Sequence, residues 1–168
     1  MRVISHRPLR EFAERYPHAR IALQTWRKHI ESRSLANFSD LRNTFRSVDL
    51  VRERIVFDIR GNRYRLITFI NFARQECYIK AVLTHNEYDK KHWMTYTHVR
   101  DVAPIGWGLF QHTSTVRPIV DERDHDLALS AIDRLVDIGA MNDEHPKSQL
   151  CGMLFDVIHA YEQAHDPF

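Results

Sequence analysis

The 168-residue chain has room for one domain or two small ones, and its 43% hydrophobic content is enough for a globular core. Its net charge of +2 conceals an asymmetry: residues 1–93 hold 19 Lys/Arg against 10 Asp/Glu, net +9, while residues 94–168 hold 5 against 12, net −7. No apolar run approaches the ~18 residues of a membrane span. The start Met1-Arg2-Val3-Ile4-Ser5-His6-Arg7 lacks a signal-peptide core, and Cys77 and Cys151, with no Cys-x-x-Cys, argue against a disulfide scaffold or zinc knuckle. A reducing cytoplasm is the default compartment, and a basic half joined to an acidic half suggests nucleic-acid binding by the first and masking by the second.

In chain order, Val3-Ile4 reads as a short edge strand. Pro8 suits the first turn of a helix, where its missing N–H costs nothing, and Leu9, Phe12 and Tyr16 repeat at helical spacing. Pro17 breaks that pattern and opens a second helix with Ala19, Leu23, Trp26 and Ile30 on one face. Arg20, Arg27 and Lys28 fall outside that stripe and are expected in solvent. Residues 37–43 are polar, with Ser39-Asp40 as a turn or cap, and residues 45–51 read as a loop or weak strand. The eleven scattered histidines and the lack of a His-Glu-x-x-His helix or a glycine-rich phosphate loop predict neither metal nor cofactor.

The stretch 54–89 is the most ordered signal in the chain. Apolar residues alternate on both sides of Gly61-Asn62, a two-residue hairpin signal. Ile55, Phe57 and Ile59 then point one way and Val56 and Asp58 the other. Tyr64, Leu66, Thr68 and Ile70 share a face, with Arg63, Arg65, Ile67 and Phe69 opposite. After the polar turn Arg74-Gln75-Glu76, a third strand over 77–83 carries Lys80. Arg63, Arg65 and Lys80 are thus expected on strands. In the following Thr84-His85-Asn86-Glu87-Tyr88-Asp89, His85 and Tyr88 share one side of a helical turn. A basic sheet beside an imidazole and a phenol suits a phosphodiester: RNA cleavage without a metal needs a base, an acid and fixed positive charge. Against this, arginines on strands most often form a solvated face, and a lone His is more often structural than catalytic.

Past Trp93 the character changes. Met94 opens Met-Thr-Tyr-Thr-His, a run that looks like a fresh protein start. Residues 94–116 read as a linker whose apolar cluster, 105–110, forms a small core or docks on the first half. Asp121 can cap a helix whose first turn holds Glu122 and Asp124, with Ala128, Ile132, Leu135 and Val136 as its stripe and Gly139 near its end. Pro146 opens another helix, with Leu150, Met153, Leu154, Val157, Ile158 and Tyr161 at spacings of three and four, and Pro167 stops it. The two form an antiparallel pair.

Three runs, Phe57-Asp58-Ile59-Arg60-Gly61-Asn62-Arg63-Tyr64-Arg65-Leu66-Ile67, Cys77-Tyr78-Ile79-Lys80 and Thr84-His85-Asn86-Glu87-Tyr88-Asp89, resemble the HigB family of toxins, mRNA interferases of the RelE-like superfamily. The resemblance covers about residues 1–93. It implies an α+β fold, with a small antiparallel sheet flanked by helices. It also implies a ribosome-dependent, metal-free endoribonuclease that cuts mRNA. By motif, Arg65 and Lys80 would stabilise the scissile phosphate. His85 would be the general acid or base, and Tyr88 would assist proton transfer or stack on a base. Asn62 and Arg63 would contact the RNA, and Asp89 would contact it or orient His85.

The second half, through Arg117-Pro118-Ile119, Ala128-Leu129, Ile132, Leu135, Leu154, Val157-Ile158-His159-Ala160-Tyr161-Glu162 and His165-x-Pro167, is similar to the N-terminal region of HigA antitoxins. The helix-turn-helix that follows in that family has no counterpart here, so operator DNA is not an expected partner. Toxin first and antitoxin second is that family's usual gene order. The chain therefore reads as a toxin domain over 1–93, a linker, and an antitoxin segment over 117–168. The antitoxin segment would act in cis or, in a homo-oligomer, on a neighbour. The rival is a module that binds nucleic acid or protein and cuts nothing.

Overall fold

The computed structural model describes residues 1–94, 116–165 and 168. It divides into two compact units, Met1–Trp93 with Phe168, and Met94–Pro167. The expected linker, apart from Met94 and Val116, and the Pro167 stop lie outside the described residues.

In the first unit β1 (Arg2–Ile4) leads into α1 (Arg7–Arg15), a 3-10 turn (Pro17–Ala19), α2 (Arg20–Glu31) and α3 (Phe38–Thr44). Strands β2 (Val48–Val51), β3 (Arg54–Ile59), β4 (Tyr64–Asn71) and β5 (Glu76–Thr84) follow, then the short α4 (His85–Asp89) and a 3-10 turn (His92–Met94). Among the described residues the strands form one sheet in the order β1-β5-β4-β3-β2. It is antiparallel except for β1, which runs parallel to β5. The fold is α+β, as the resemblance implies.

One sheet face makes the core. Ile55, Phe57 and Ile59 of β3, Leu66 of β4 and Ile79 of β5 pack with Leu9, Phe12, Leu23, Trp26 and Ile30 of the helices. Phe57 is met edge-on by Trp26 and Phe45, with ring centroids 5.2 and 5.1 Å away. Burying such a side chain is worth about 1.5–3 kcal/mol. At the β1 edge Glu76, only 2% exposed, takes Arg2 at 2.6 Å and Arg74 at 3.2 Å. A carboxylate that deep is tolerable only with such partners.

The structure corrects several expectations. The β3–β4 connection is a four-residue turn, not two: Arg60, Gly61 and Asn62 are all left-handed, at φ 54°, 60° and 70°, and Arg63 follows in the same turn. Arg63 is therefore an exposed turn residue, not a strand residue. Left-handed backbone cannot continue the ladder, so pairing stops at Ile59 and Tyr64. Polar residues 37–43 belong to a helix, because Asn37 caps α3 by accepting the Asp40 N–H at 3.0 Å. The weak strand expected within 45–51 is β2, an edge strand paired to β3. Glu76, expected in a turn, opens β5. Arg27 is buried, not solvated: it sits beside Trp26 and donates to Glu31 one turn on, at 3.0 Å.

The second unit contains α5 (Glu122–Asp137) and α6 (Ser148–His165), packed against each other. Asp121 caps α5 by accepting the Asp124 N–H at 2.7 Å. Asp124 also takes Arg117 in two bonds of 2.5 and 2.6 Å. That fork holds the Asp124 carboxyl below the usual carboxylate range. The expected stripe of Ala128, Ile132, Leu135 and Val136 is buried, and Gly139 leaves the helix left-handed at φ 82°. On α6 the deepest apolar side chains are Cys151, Leu154, Phe155 and Ile158, with Leu150, Met153 and Val157 only partly buried. His125 and the fully buried Glu162 pair at 3.3 Å across the two helices. Among the described residues no helix is long and apolar enough to cross a membrane.

Candidate functional site

The site candidates gather where β4 begins and β5 ends, at α4. Thr84 builds this corner. Its hydroxyl accepts the Glu87 N–H at 3.3 Å, and the Glu87 carboxylate accepts the Thr84 N–H at 2.8 Å. This capping box starts a helix of five residues, too short to persist without such support. The Thr84 N–H bond, above all, holds the Glu87 carboxyl below its ordinary value. The His85 N–H donates to the Arg63 carbonyl at 3.1 Å, tying α4 to the β3–β4 turn.

On α4, His85 and Asp89 are one turn apart. Their Nε2 and Oδ2 atoms lie 3.3 Å from each other, with the side chains 47% and 59% exposed. The imidazole is thus reachable from solvent and has a carboxylate within reach of one nitrogen, an arrangement suited to proton transfer. The Tyr88 phenol is pushed up from its ordinary value by burial, which outweighs the pull of nearby Arg65. Its hydroxyl therefore stays a proton donor at neutral pH.

Arg65 lies over the Tyr88 ring, 5.3 Å from its centroid. One of its nitrogens bonds Asp58 at 2.8 Å and the Asn62 carbonyl at 3.2 Å. Asp58 and Arg65 are direct cross-strand partners. Lys80 is where the regular alternation fails. Ala81 pairs with Ile67 and Ile79 with Thr68, so Lys80 is the extra residue of a β-bulge, three residues along β5 from Leu83, the partner of Arg65. Bulges re-aim side chains beside functional sites.

The structure therefore joins Arg65 with Tyr88, His85 with Asp89, and Asn62 and Arg63 with this corner through their backbone carbonyls. Lys80 stands on the neighbouring strand. Three residues that sequence reasoning did not select belong to the same cluster. Asp58 neutralises Arg65, and the hairpin register was the signal for it. Trp93 stacks on Tyr88 with centroids 4.9 Å apart and planes 16° apart. Buried Arg54 donates to the Trp93 carbonyl at 2.7 Å. Neither Trp93 nor Arg54 had a local signal, because they are 39 residues apart.

Residues 19–91 match the HigB toxin family, described as the RelE-like toxic component of a toxin-antitoxin system. Residues 107–168 match the N-terminal domain of HigA antitoxin. The chain is 32% identical over 93 residues to the mRNA interferase HigB of Escherichia coli O6:H1, covering 54% of this chain and 90% of that protein. It is 32% identical over 92 residues to the mRNA interferase toxin HigB of Escherichia coli K12, and equally to the mRNA interferase HigB of Shigella flexneri, covering 53% of this chain and 88% of each relative. These relatives are thus proteins little longer than the first unit alone. With a HigB toxin region followed by a HigA N-terminal domain, the chain is a type II toxin–antitoxin protein and belongs to the HigB family of RelE-like toxins.

Proposed function

We propose that residues 1–93 form a metal-independent endoribonuclease acting on mRNA at the bacterial ribosome, in the cytoplasm. Residues 94–168 act as its neutralising antitoxin segment, in cis or on a neighbouring chain. The observation that carries this reading is the pairing at one corner of a solvent-reachable His85–Asp89 couple with a fixed cation, Arg65, against the Tyr88 phenol.

In the reaction a base removes the proton of a ribose 2′-OH, whose oxygen attacks the adjacent phosphorus. The P–O5′ bond breaks, and an acid protonates the leaving oxygen. His85 is one of these two groups and Asp89 orients its ring. Tyr88, protonated at neutral pH, supports the acid role. Arg65 and Lys80 offset charge on the phosphorane oxygens, where a preorganised donor is worth roughly 3–4 kcal/mol of barrier. To do so Arg65 exchanges at least part of its Asp58 pairing for phosphate. Asn62 and the exposed Arg63 hold the RNA strand.

The test is cleavage of mRNA on translating ribosomes by residues 1–93. His85→Ala and Arg65→Ala should each lower the rate by about a hundredfold or more. Cutting that survives both changes rejects the site. Expressed alone, residues 1–93 should arrest bacterial growth, and residues 94–168 should relieve it. A folded yet harmless fragment would favour a module that binds without cutting.

A further inference from the structure

Tyr88 is held more tightly than a residue on a five-residue helix normally is. The Trp93 indole stacks on its ring nearly in parallel, and the indole N–H donates to the Tyr88 backbone carbonyl at 2.9 Å. Both the ring and the backbone of Tyr88 are therefore gripped by one side chain. Trp93 is itself anchored. Its carbonyl accepts from Arg54, the first residue of β3, whose guanidinium is 5.7 Å from the centroids of both the Trp93 and Phe69 rings. Arg54 is only 7% exposed, and a cation so placed is held by its aromatic neighbours and its acceptor rather than by water. The chain of support thus runs from the sheet through Arg54 and Trp93 to Tyr88, and from Tyr88 to Arg65. The HigB family match ends at residue 91, so Trp93 lies beyond it.

We propose that Trp93, anchored by Arg54, is a positioning residue that fixes the Tyr88 phenol and the Arg65 guanidinium for the reaction. It thereby reserves the Tyr88 hydroxyl, not its ring face, for the RNA. This rests on residues 1–93 cutting RNA, and it decides between the two roles open to Tyr88. A ring covered by an indole and a guanidinium offers no platform to a base, so proton transfer is what remains. The anchor also matters for timing. Trp93 ends the continuous run Met1–Trp93 of the first unit, so Tyr88 stays loosely held until that whole run has been made and Trp93 has docked.

The test has two parts. In the full chain carrying 3-fluorotyrosine, the ¹⁹F resonance of Tyr88 is assigned by its loss in Tyr88→Phe. Trp93→Ala should move or broaden it, while Trp93→Phe, which keeps a stacking ring, should leave it near its place. An unchanged Tyr88 signal in Trp93→Ala overturns the proposal. The second part uses residues 1–94, which keep the Trp93 carbonyl in an amide, on translating ribosomes. Trp93→Ala should lower kcat about tenfold with KM changed less than about twofold, and Trp93→Phe should recover most of the loss. In a Tyr88→Phe background Trp93→Ala should cost clearly less than in wild type, because the hydroxyl it positions is gone and only the ring contact with Arg65 remains. Losses that multiply, or a folded Trp93→Ala with full kcat, overturn the positioning role. If residues 1–94 cut no RNA while the ¹⁹F signal still responds to Trp93, the cleavage reading fails and the packing role stands; if His85→Ala and Tyr88→Phe leave cutting intact, the site assignment and the positioning role fall together.

Discussion

Replacing Asp58 by Asn removes the counter-charge that holds Arg65 on the sheet. The two side chains face each other across the β3–β4 ladder at 2.8 Å, with Arg65 12% and Asp58 28% exposed. At a charge separation of about 4 Å and an effective dielectric of about 20, the gross attraction is roughly 4 kcal/mol. Desolvation and residual water access remove most of that. A net coupling of about 1–2 kcal/mol is left, more than the ~0.5 kcal/mol of an open surface pair, because neighbouring strands already fix both side chains. A double-mutant cycle of Asp58→Asn with Arg65→Met, read from urea unfolding of residues 1–93 at low salt, isolates the coupling. It should shrink with added salt, though less than for a solvent-exposed pair. Asp58→Asn should also strengthen RNA binding by about three- to tenfold, since phosphate no longer competes with a resident carboxylate. A coupling under about 0.3 kcal/mol, or binding that weakens, would refute the view that Asp58 holds Arg65 in check.

Thr84→Ala should cost residues 1–93 about 1 kcal/mol through loss of the capping box, measured by urea unfolding. The Glu87 half of that box carries a pH signature. Its carboxyl is lowered from 4.5, so its contribution is present above that value and fades as pH falls through the lower folded value; an acid titration should show wild type and Glu87→Gln converging there. Burial pushes the Cys77 thiol up to about 12, so a thiolate-selective reagent at pH 8 should leave it untouched until the first unit unfolds. Phe155, fully buried on α6, should cost about 3–5 kcal/mol when changed to Ala, seen as loss of the helix pair's unfolding transition at moderate urea.

Much of this site is legible in the sequence alone. The alternation around Gly61-Asn62 fixes Ile59 against Tyr64 and Asp58 against Arg65 whether the turn takes two residues or four, because lengthening it by one residue on each side keeps the register. The Asp58–Arg65 pair was therefore readable from the hairpin. Likewise Thr84 and Glu87 stand three apart, and His85 and Asp89 four apart, so one helical turn joins each pair. What misled was local as well. Arg27 looked solvated by its charge, and Arg63 looked strand-bound because three successive left-handed residues cannot be inferred from Arg60-Gly61-Asn62.

Taken alone, the order of residues determined the α+β class, the two halves of opposite charge, the β3–β4 hairpin and the turn that bears His85, Tyr88 and Asp89. The hairpin and the turn rest on periods and spacings of a few residues, where backbone geometry leaves few choices; the charged halves are a matter of composition, and the α+β class is what the family resemblance implies. Only the tertiary structure decided that Lys80 sits on a bulge, that β1 joins β5 in parallel, and that Trp93 reaches back to Tyr88 under the hold of Arg54. Those depend on which distant side chains share the same buried volume once the sheet has formed, and no spacing along the chain encodes that.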